Sequence, residues 1–261
     1  TGQPGVAMYG DFAAVYDRLM REVDYPAWAE HYRGLLAARG VPEGARVLEA
    51  ACGTGSLTLP LARHYRLLPG DRSPEMLSRA ALKAKDAGLS LPFIAQDMRT
   101  LSAHRPVEAV VCGCDGVNYL LSPADLRRFL QSAHDTLAPG GAIAFDISSF
   151  HKLSQVLGNS TLGLKEEDIC YLWQNAWQPR SHRLSMQLSI FVRQQHPEET
   201  WRMIEETQVQ RAWEEEEVIQ GLSEAGFENI SCFGGMTLSK PAPQDMRLHF
   251  AATKPHVRIC L

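Results

Sequence analysis

What this 261-residue chain lacks narrows it before any motif is read. Its six cysteines, Cys52, Cys112, Cys114, Cys170, Cys232 and Cys260, include no C-x-x-C pair and no His/Cys grouping at zinc spacing. That argues against a structural zinc module and a disulfide-stapled secreted fold. Read as small core hydrophobes in a reducing compartment, they point to a cytoplasmic location. No apolar stretch reaches the length of a bilayer span and no signal peptide is visible, so no membrane partner is expected. Long basic runs are missing too, and the net charge is −4, which makes a nucleic-acid partner an unfavoured reading. Neither an H-x-x-x-D pattern nor a metal-binding pair of carboxylates stands out, and the metal expectation is none. Thr1 to Ala7 read as a leader ahead of a start at Met8.

What is present is an alternation. Hydrophobic residues make up 45% of the chain and charged residues 21%, an ordinary globular balance with length enough for one large domain and a small insert. Tyr9, Phe12, Val15, Tyr16, Leu19, Met20 and Val23 recur at three- and four-residue spacing and predict an amphipathic helix. A second helix opens near Pro26 and stops at Gly40 and Pro42. Apolar runs at Arg46 to Ala51, Tyr65 to Pro69, Pro92 to Ala95, Val107 to Cys112 and Ala142 to Ile147 predict five buried strands. Helices separate them, one opened by Ser73-Pro74 and one by Ser122-Pro123 and ended at Pro139-Gly140-Gly141. Alternation of this kind implies a parallel sheet covered on both faces, with ligands at the carboxyl ends of the strands. Residues 165–211 instead step by two, as in Tyr171, Trp173, Asn175 and Trp177, in Leu184 through Val192, and in Trp201, Met203, Glu205 and Thr207. They predict three antiparallel strands. A helix at Glu214 to Gly226 and a hairpin from Asn229 to Phe233 and Arg247 to Thr253 close the chain. The expected fold is α/β, a Rossmann-like seven-stranded, mostly parallel sheet with helices on both faces and a small antiparallel β insert after the fifth strand. The core is expected at 8–164 and 212–255, with an N-terminal helical cap, and the lid at 165–211.

The segment richest in chemistry is Val47 to Gly55, where a strand runs into a turn containing Gly53 and Gly55 and then a helix. Glycine allows the sharp turn and a close ligand approach, and the helix start offers unpaired N–H groups to an anion. A dinucleotide site would complete G-x-G-x-x-G with glycine at position 58, where this chain has Thr58. Val47-Leu48-Glu49 followed by Cys52-Gly53-Thr54-Gly55 resembles motif I of class I S-adenosylmethionine-dependent methyltransferases. Gly70-Asp71-Arg72-Ser73-Pro74-Glu75-Met76-Leu77 is similar to the family's next conserved stretch with one residue missing. Gln96-Asp97-Met98 resembles its adenine-holding segment, and Cys114 to Leu120 its loop after the fourth strand. Tyr16 through Trp28 resembles the opening of the YqeM-like group of small bacterial methyltransferases. Sugar amine and glycine N-methyltransferases share the core-plus-insert layout.

The resemblance implies S-adenosylmethionine as cofactor and S-adenosylhomocysteine as product. It implies Asp71 on both ribose hydroxyls, a role suited to an acceptor-only carboxylate. Arg72 and Met76 would flank the adenosine, and Asp97 with Met98 would hold adenine. Glu49, Ala51, Gly53, Gly55, Cys114, Asp115 and Asn118 would lie around the donor. Tyr16 and Tyr25 would be laid over it, where an aromatic face favours the sulfonium, and Arg21 would meet its carboxylate. Tyr16 and His151 are the catalytic candidates, with Asp115, Asn118 and Tyr119 facing the same region. Trp173, Trp177 and Trp201 either pack the insert or line an acceptor pocket. The expected activity is methyl transfer to nitrogen or oxygen of a small-molecule acceptor, by a monomer or homodimer. An RNA or protein methyltransferase, a dinucleotide oxidoreductase and a non-catalytic donor-binding protein are the alternatives.

Overall fold

The computed structural model describes residues 15–194 and 200–256. Tyr9 and Phe12 of the first predicted helix, the leader with Met8, and Cys260 lie outside the described residues. Helical backbone is present at 15–19. Helix α1 follows at Tyr25–Ala37, started by the Asp24 carboxylate, which accepts from the Ala27 N–H at 3.0 Å.

The main sheet contains β1 (Arg46–Ala50), β2 (Arg66–Asp71), β3 (Ile94–Ala95), β4 (Val107–Cys112), β5 (Leu137–Ser148), β10 (Glu228–Gly234) and β11 (Arg247–Thr253). Their order is β10-β11-β5-β4-β1-β2-β3. The five strands from β1 to β5 run parallel, and β11 returns antiparallel beside β5. From β1 the chain winds outward to β2 and β3, then crosses back to β4 and β5. The switch point therefore falls between β1 and β4, where the strand ends diverge and leave room for a ligand.

Period-two alternation divides the central strands between two cores. Leu48, Val110, Ile143 and Phe145 face one way and pack with Leu126, Phe129 and Leu130 of α4 (Pro123–Thr136) and Val218 and Leu222 of α5 (Glu215–Glu224). Val47, Val111, Ala142 and Ala144 face the other, against Tyr32, Leu35 and Leu36 of α1 and Leu57 and Leu61 at α2 (Thr58–Leu61). Helix α3 (Pro74–Asp86) is capped by Ser73, whose hydroxyl accepts from the Met76 N–H at 3.2 Å.

The second sheet has four strands, β6 (Thr161–Lys165), β7 (Ile169–Gln178), β8 (Arg183–Arg193) and β9 (Trp201–Arg211), all antiparallel and in chain order. The sequence predicts three. The added strand β6 is exposed at all five positions, so it carries no buried row for a pattern to reveal. Its partners in β7 supply the register. A second difference lies at Pro139-Gly140-Gly141, predicted as the end of α4. The helix stops at Thr136, and these residues belong to β5 as a bulge, with Val107 opposite Leu137 and Ala109 opposite Ala142. An irregular insertion in a strand uses the same residues as a turn, which is why the two read alike.

Candidate active site

The carboxyl ends of β1, β2, β3 and β4 open into one cavity of about 770 Å³. Its floor begins at the turn after β1. Ala51, Gly53 and Gly55 all have positive φ there, at 55°, 55° and 78°. A side chain on Gly53 would meet nothing within 4 Å, whereas one on Gly55 would come within 3.0 Å of Ala80 Cβ in α3. Gly53 thus keeps the turn bare toward the cavity, and Gly55 lets α3 pack against it. Asp71, at the end of β2, braces the turn. Its two carboxylate oxygens accept from the Gly53 N–H and the Ser73 N–H, each at 2.9 Å. A carboxylate offers about four acceptor positions, so these two bonds leave about half of them unused. Asp97 follows β3 and is gripped by Arg99 at 3.0 and 2.6 Å, with Arg99 also reaching Asp125 at 3.1 Å. Those bonds hold the Asp97 carboxyl below its usual range.

Glu49 ends the inner face of β1. It is 2% exposed and accepts from the Thr58 hydroxyl at 2.7 Å. Burial first, then the nearby Asp71 charge, push its carboxyl up to about 8 against the opposing Thr58 bond. Tyr16 and Tyr25 form part of the wall, and burial raises both phenols. Between them Asp17 reaches the glycine turn. Its carboxylate accepts from Thr54 at 2.6 Å, Ser56 at 3.2 Å and Lys83 of α3 at 3.0 Å. The N-terminal segment is thereby tied to the same turn that Asp71 braces.

The loop after β4 needs more support, since Cys114 and Asp115 are consecutive left-handed residues, each costing about 1–2 kcal/mol. Buried Asp146 of β5 accepts from the Asp115 N–H at 2.9 Å, from Tyr32 Oη at 2.6 Å and from Arg247 Nη1. Arg247 also pairs with Asp115 at 2.9 Å and lies over the Trp28 ring at 4.8 Å. Fully buried Asn118 donates to the Ser148 and Arg211 carbonyls at 3.1 and 2.9 Å and accepts from the Ser148 N–H at 2.8 Å. That side chain binds the loop, β5 and the end of β9 to one another.

The sequence and fold are shared with known proteins. The methyltransferase domain model matches residues 47–141. A Bacillus subtilis protein named "Putative methyltransferase YqeM" is 33% identical over 95% of this chain and 97% of its own. The crystal structure of an S-adenosylmethionine-dependent methyltransferase from Clostridium acetobutylicum superposes with a TM-score of 0.85, at 30% identity, over 95% of this chain and 99% of that one. This chain belongs to the S-adenosylmethionine-dependent methyltransferase family. A Streptomyces venezuelae aminosugar N,N-dimethyltransferase is 32% identical over 52% of this chain and 56% of its own length.

Of the residues singled out in the methyltransferase sequence, Tyr16, Tyr25, Glu49, Ala51, Gly53, Asp71, Arg72, Met76, Asp97, Met98 and Cys114 meet on the cavity wall. Gly55, Asp115 and Asn118 are not on the wall, although each adjoins a residue that is. Arg21 and His151 are not on the wall. Arg21 pairs with Glu166 before β7, at 3.1 Å for one contact, and its side chain is 54% exposed. His151 lies in the helical segment 150–157 that follows β5. The three insert tryptophans also stay off the wall. Trp173 and Trp177 pack against the apolar face of the insert, and Trp201 is exposed. What the insert does contribute is Glu206, Thr207, Gln208 and Val209 from β9. The stepped row Trp201, Met203, Glu205, Thr207 is the exposed phase of that strand, and of it only Thr207, with Val209 beyond, reaches the wall. The inward phase is Ile204, Glu206, Gln208, Gln210, and only its register against apolar β8 identifies it.

Proposed function

We propose that this enzyme transfers a methyl group from S-adenosylmethionine to a nitrogen or oxygen of a small-molecule acceptor, releasing S-adenosylhomocysteine. The observation that carries the reading is the continuity of the cavity, with the β1–β4 strand ends on one side and the β9 wall of the insert on the other. A volume of about 770 Å³ sits toward the upper part of the range usual for small-molecule sites, room for the donor and a compact acceptor.

The residues present fit the donor. Bare Gly53 and the first helical turn beyond it suit the amino-acid end. The unused acceptor positions of Asp71 suit a pair of ribose hydroxyls, and its fixed bonds to Gly53 and Ser73 hold it in place for them. Asp97 and Met98 form the adenine end, with Arg72 and Met76 at its sides. Tyr16 and Tyr25, both on the wall, would supply aromatic rings beside the middle of the donor. When bound, the sulfonium supplies an activated methyl group. The protein's part is to align an acceptor and exclude water, which can account for most of the rate in such a displacement. Tyr16 and Cys114 border the region where that alignment takes place. Relatives named as N,N-dimethyltransferases of dTDP-linked aminosugars support a small-molecule acceptor. A net charge of −4 and a walled cavity disfavour a polynucleotide.

The test is a screen of purified protein with S-adenosylmethionine over amines, aminosugars, phenols and tRNA, read as S-adenosylhomocysteine formed. Turnover is expected with a small amine or hydroxyl compound. Turnover confined to tRNA would overturn the reading.

A further inference from the structure

The inner face of the second sheet is apolar along β8, where Leu184, Met186, Leu188 and Ile190 are all buried. Directly opposite them on β9 stand Gln210, Gln208, Glu206 and Ile204. Three consecutive inward positions of this edge strand are therefore polar on an otherwise apolar face, an arrangement that costs free energy unless each group is partnered. Two are partnered within the described residues. Gln210 Nε2 donates to Asp115 Oδ2 at 2.8 Å, and the Tyr119 hydroxyl donates to Gln208 Oε1 at 2.7 Å. With its oxygen used toward Tyr119, Gln208 has its amide N–H to offer the neighbouring Glu206 carboxylate, whose proton affinity it lowers.

Glu206 ends this chain of bonds on the cavity wall. It is 4% exposed, and among the described residues no lysine or arginine pairs with it. The cations that do reach the wall belong to the other side. Arg99 is held by Asp97 and Asp125, and Arg72 follows β2. A carboxylate taken out of water without a counter-charge attracts either a proton or a cation. Burial does raise the Glu206 carboxyl above its ordinary value. The same wall includes Tyr16 and Tyr119, and aromatic faces attract an organic cation.

We infer that Glu206 is the acceptor-recognising residue of this methyltransferase and that the acceptor it selects is a small organic amine, bound as its ammonium ion. The inference rests on the cavity being the methyl-transfer site proposed above. An ammonium has no lone pair to offer, so it must lose a proton before it can act as a nucleophile. Glu206 takes that proton: an N–H bond breaks, an O–H bond forms on the carboxylate, and the charged pair becomes a neutral amine beside a neutral acid. Its raised affinity for a proton suits it to the exchange.

The test uses the enzyme loaded with S-adenosylhomocysteine and two probes of nearly equal shape, benzylamine and benzyl alcohol, with binding followed by calorimetry. The amine should bind at least tenfold more tightly than the alcohol, a difference of roughly 1.4 kcal/mol. Glu206→Gln, which keeps the shape and the Gln208 contact, should abolish that preference while leaving the affinity for S-adenosylhomocysteine within about twofold. Equal binding of the two probes, an amine preference that survives in Glu206→Gln, or a loaded enzyme that takes up neither probe would each overturn the inference. Failure of the wild-type enzyme to bind S-adenosylhomocysteine at all would instead remove the reading of the cavity on which the inference stands.

Discussion

Replacing Arg247 by methionine probes the charge network that holds the loop after β4. The guanidinium lies between Asp146, which is fully buried, and Asp115, and over the ring of Trp28. Methionine keeps most of the stem and removes the charge. Two carboxylates then face each other with no counter-ion between them, so the expected destabilisation at neutral pH is about 3–5 kcal/mol. That is a large fraction of the stability of an ordinary domain. The pH dependence carries its own sign. Burial opposes ionisation of Asp146, but Arg247 and the bonds from Tyr32 and Asp115 outweigh it and hold the carboxyl below its usual value. A depressed folded-state value means that stabilisation is present above the unfolded value and is lost as pH falls through the folded one. His249 adds to this. Burial and, among smaller causes, the Arg247 charge push its imidazole down to about 4, and without Arg247 it protonates more readily. The gap between wild type and Arg247→Met should therefore narrow as pH falls below about 4. Adding Asp146→Asn to Arg247→Met should recover part of the loss, since one uncompensated charge disappears. Urea unfolding followed by fluorescence measures all three proteins. A loss under about 1 kcal/mol, with no recovery in the double variant, would show that the network does not hold the loop.

Two further predictions separate the roles of the glycine turn and of Glu49. Gly55→Ala should cost about 2–4 kcal/mol, combining the left-handed backbone with the 3.0 Å approach to Ala80 Cβ. Gly53→Ala, with open space around it, should cost about 1 kcal/mol of stability and act instead on S-adenosylhomocysteine affinity; equal thermal shifts for the two variants would contradict the distinction. Glu49, with its carboxyl raised to about 8, should make wild-type stability fall as pH rises from about 4.5 toward 8, because the unfolded chain releases that proton first. Glu49→Gln should flatten the fall and be the more stable protein near the upper end. A parallel pH profile for the two would disprove the assignment.

How far the sequence could be read depended on whether a feature was local. The turn at Gly53 and Gly55, the caps at Ser73 and Ser122, and the order of strands each rest on a few neighbouring residues with a definite physical reason, and the seven-stranded sheet followed from them. The second sheet was visible wherever one face of a strand was buried, and β6, exposed throughout, was not. At the site the limit was distance along the chain. Asp71 and Gly53 are separated by one strand–helix–strand unit, whose topology brings them together. Nothing near Asp17 announces that it ties Thr54, Ser56 and Lys83 into one cluster. Glu206 was hidden for a related reason. Its strand offers two alternating rows, and only the register against β8 shows that Glu206 belongs to the one on the buried apolar face.

The measurement closest to the central claim is calorimetric titration of S-adenosylhomocysteine into wild-type protein and Asp71→Ala, with NAD as control. Wild type should bind S-adenosylhomocysteine and not NAD. Losing two hydroxyl bonds to a charged acceptor, each worth about 1.5–3 kcal/mol, should weaken the variant by at least roughly a hundredfold. Absence of binding to wild type, or an unchanged affinity in Asp71→Ala, would contradict the account.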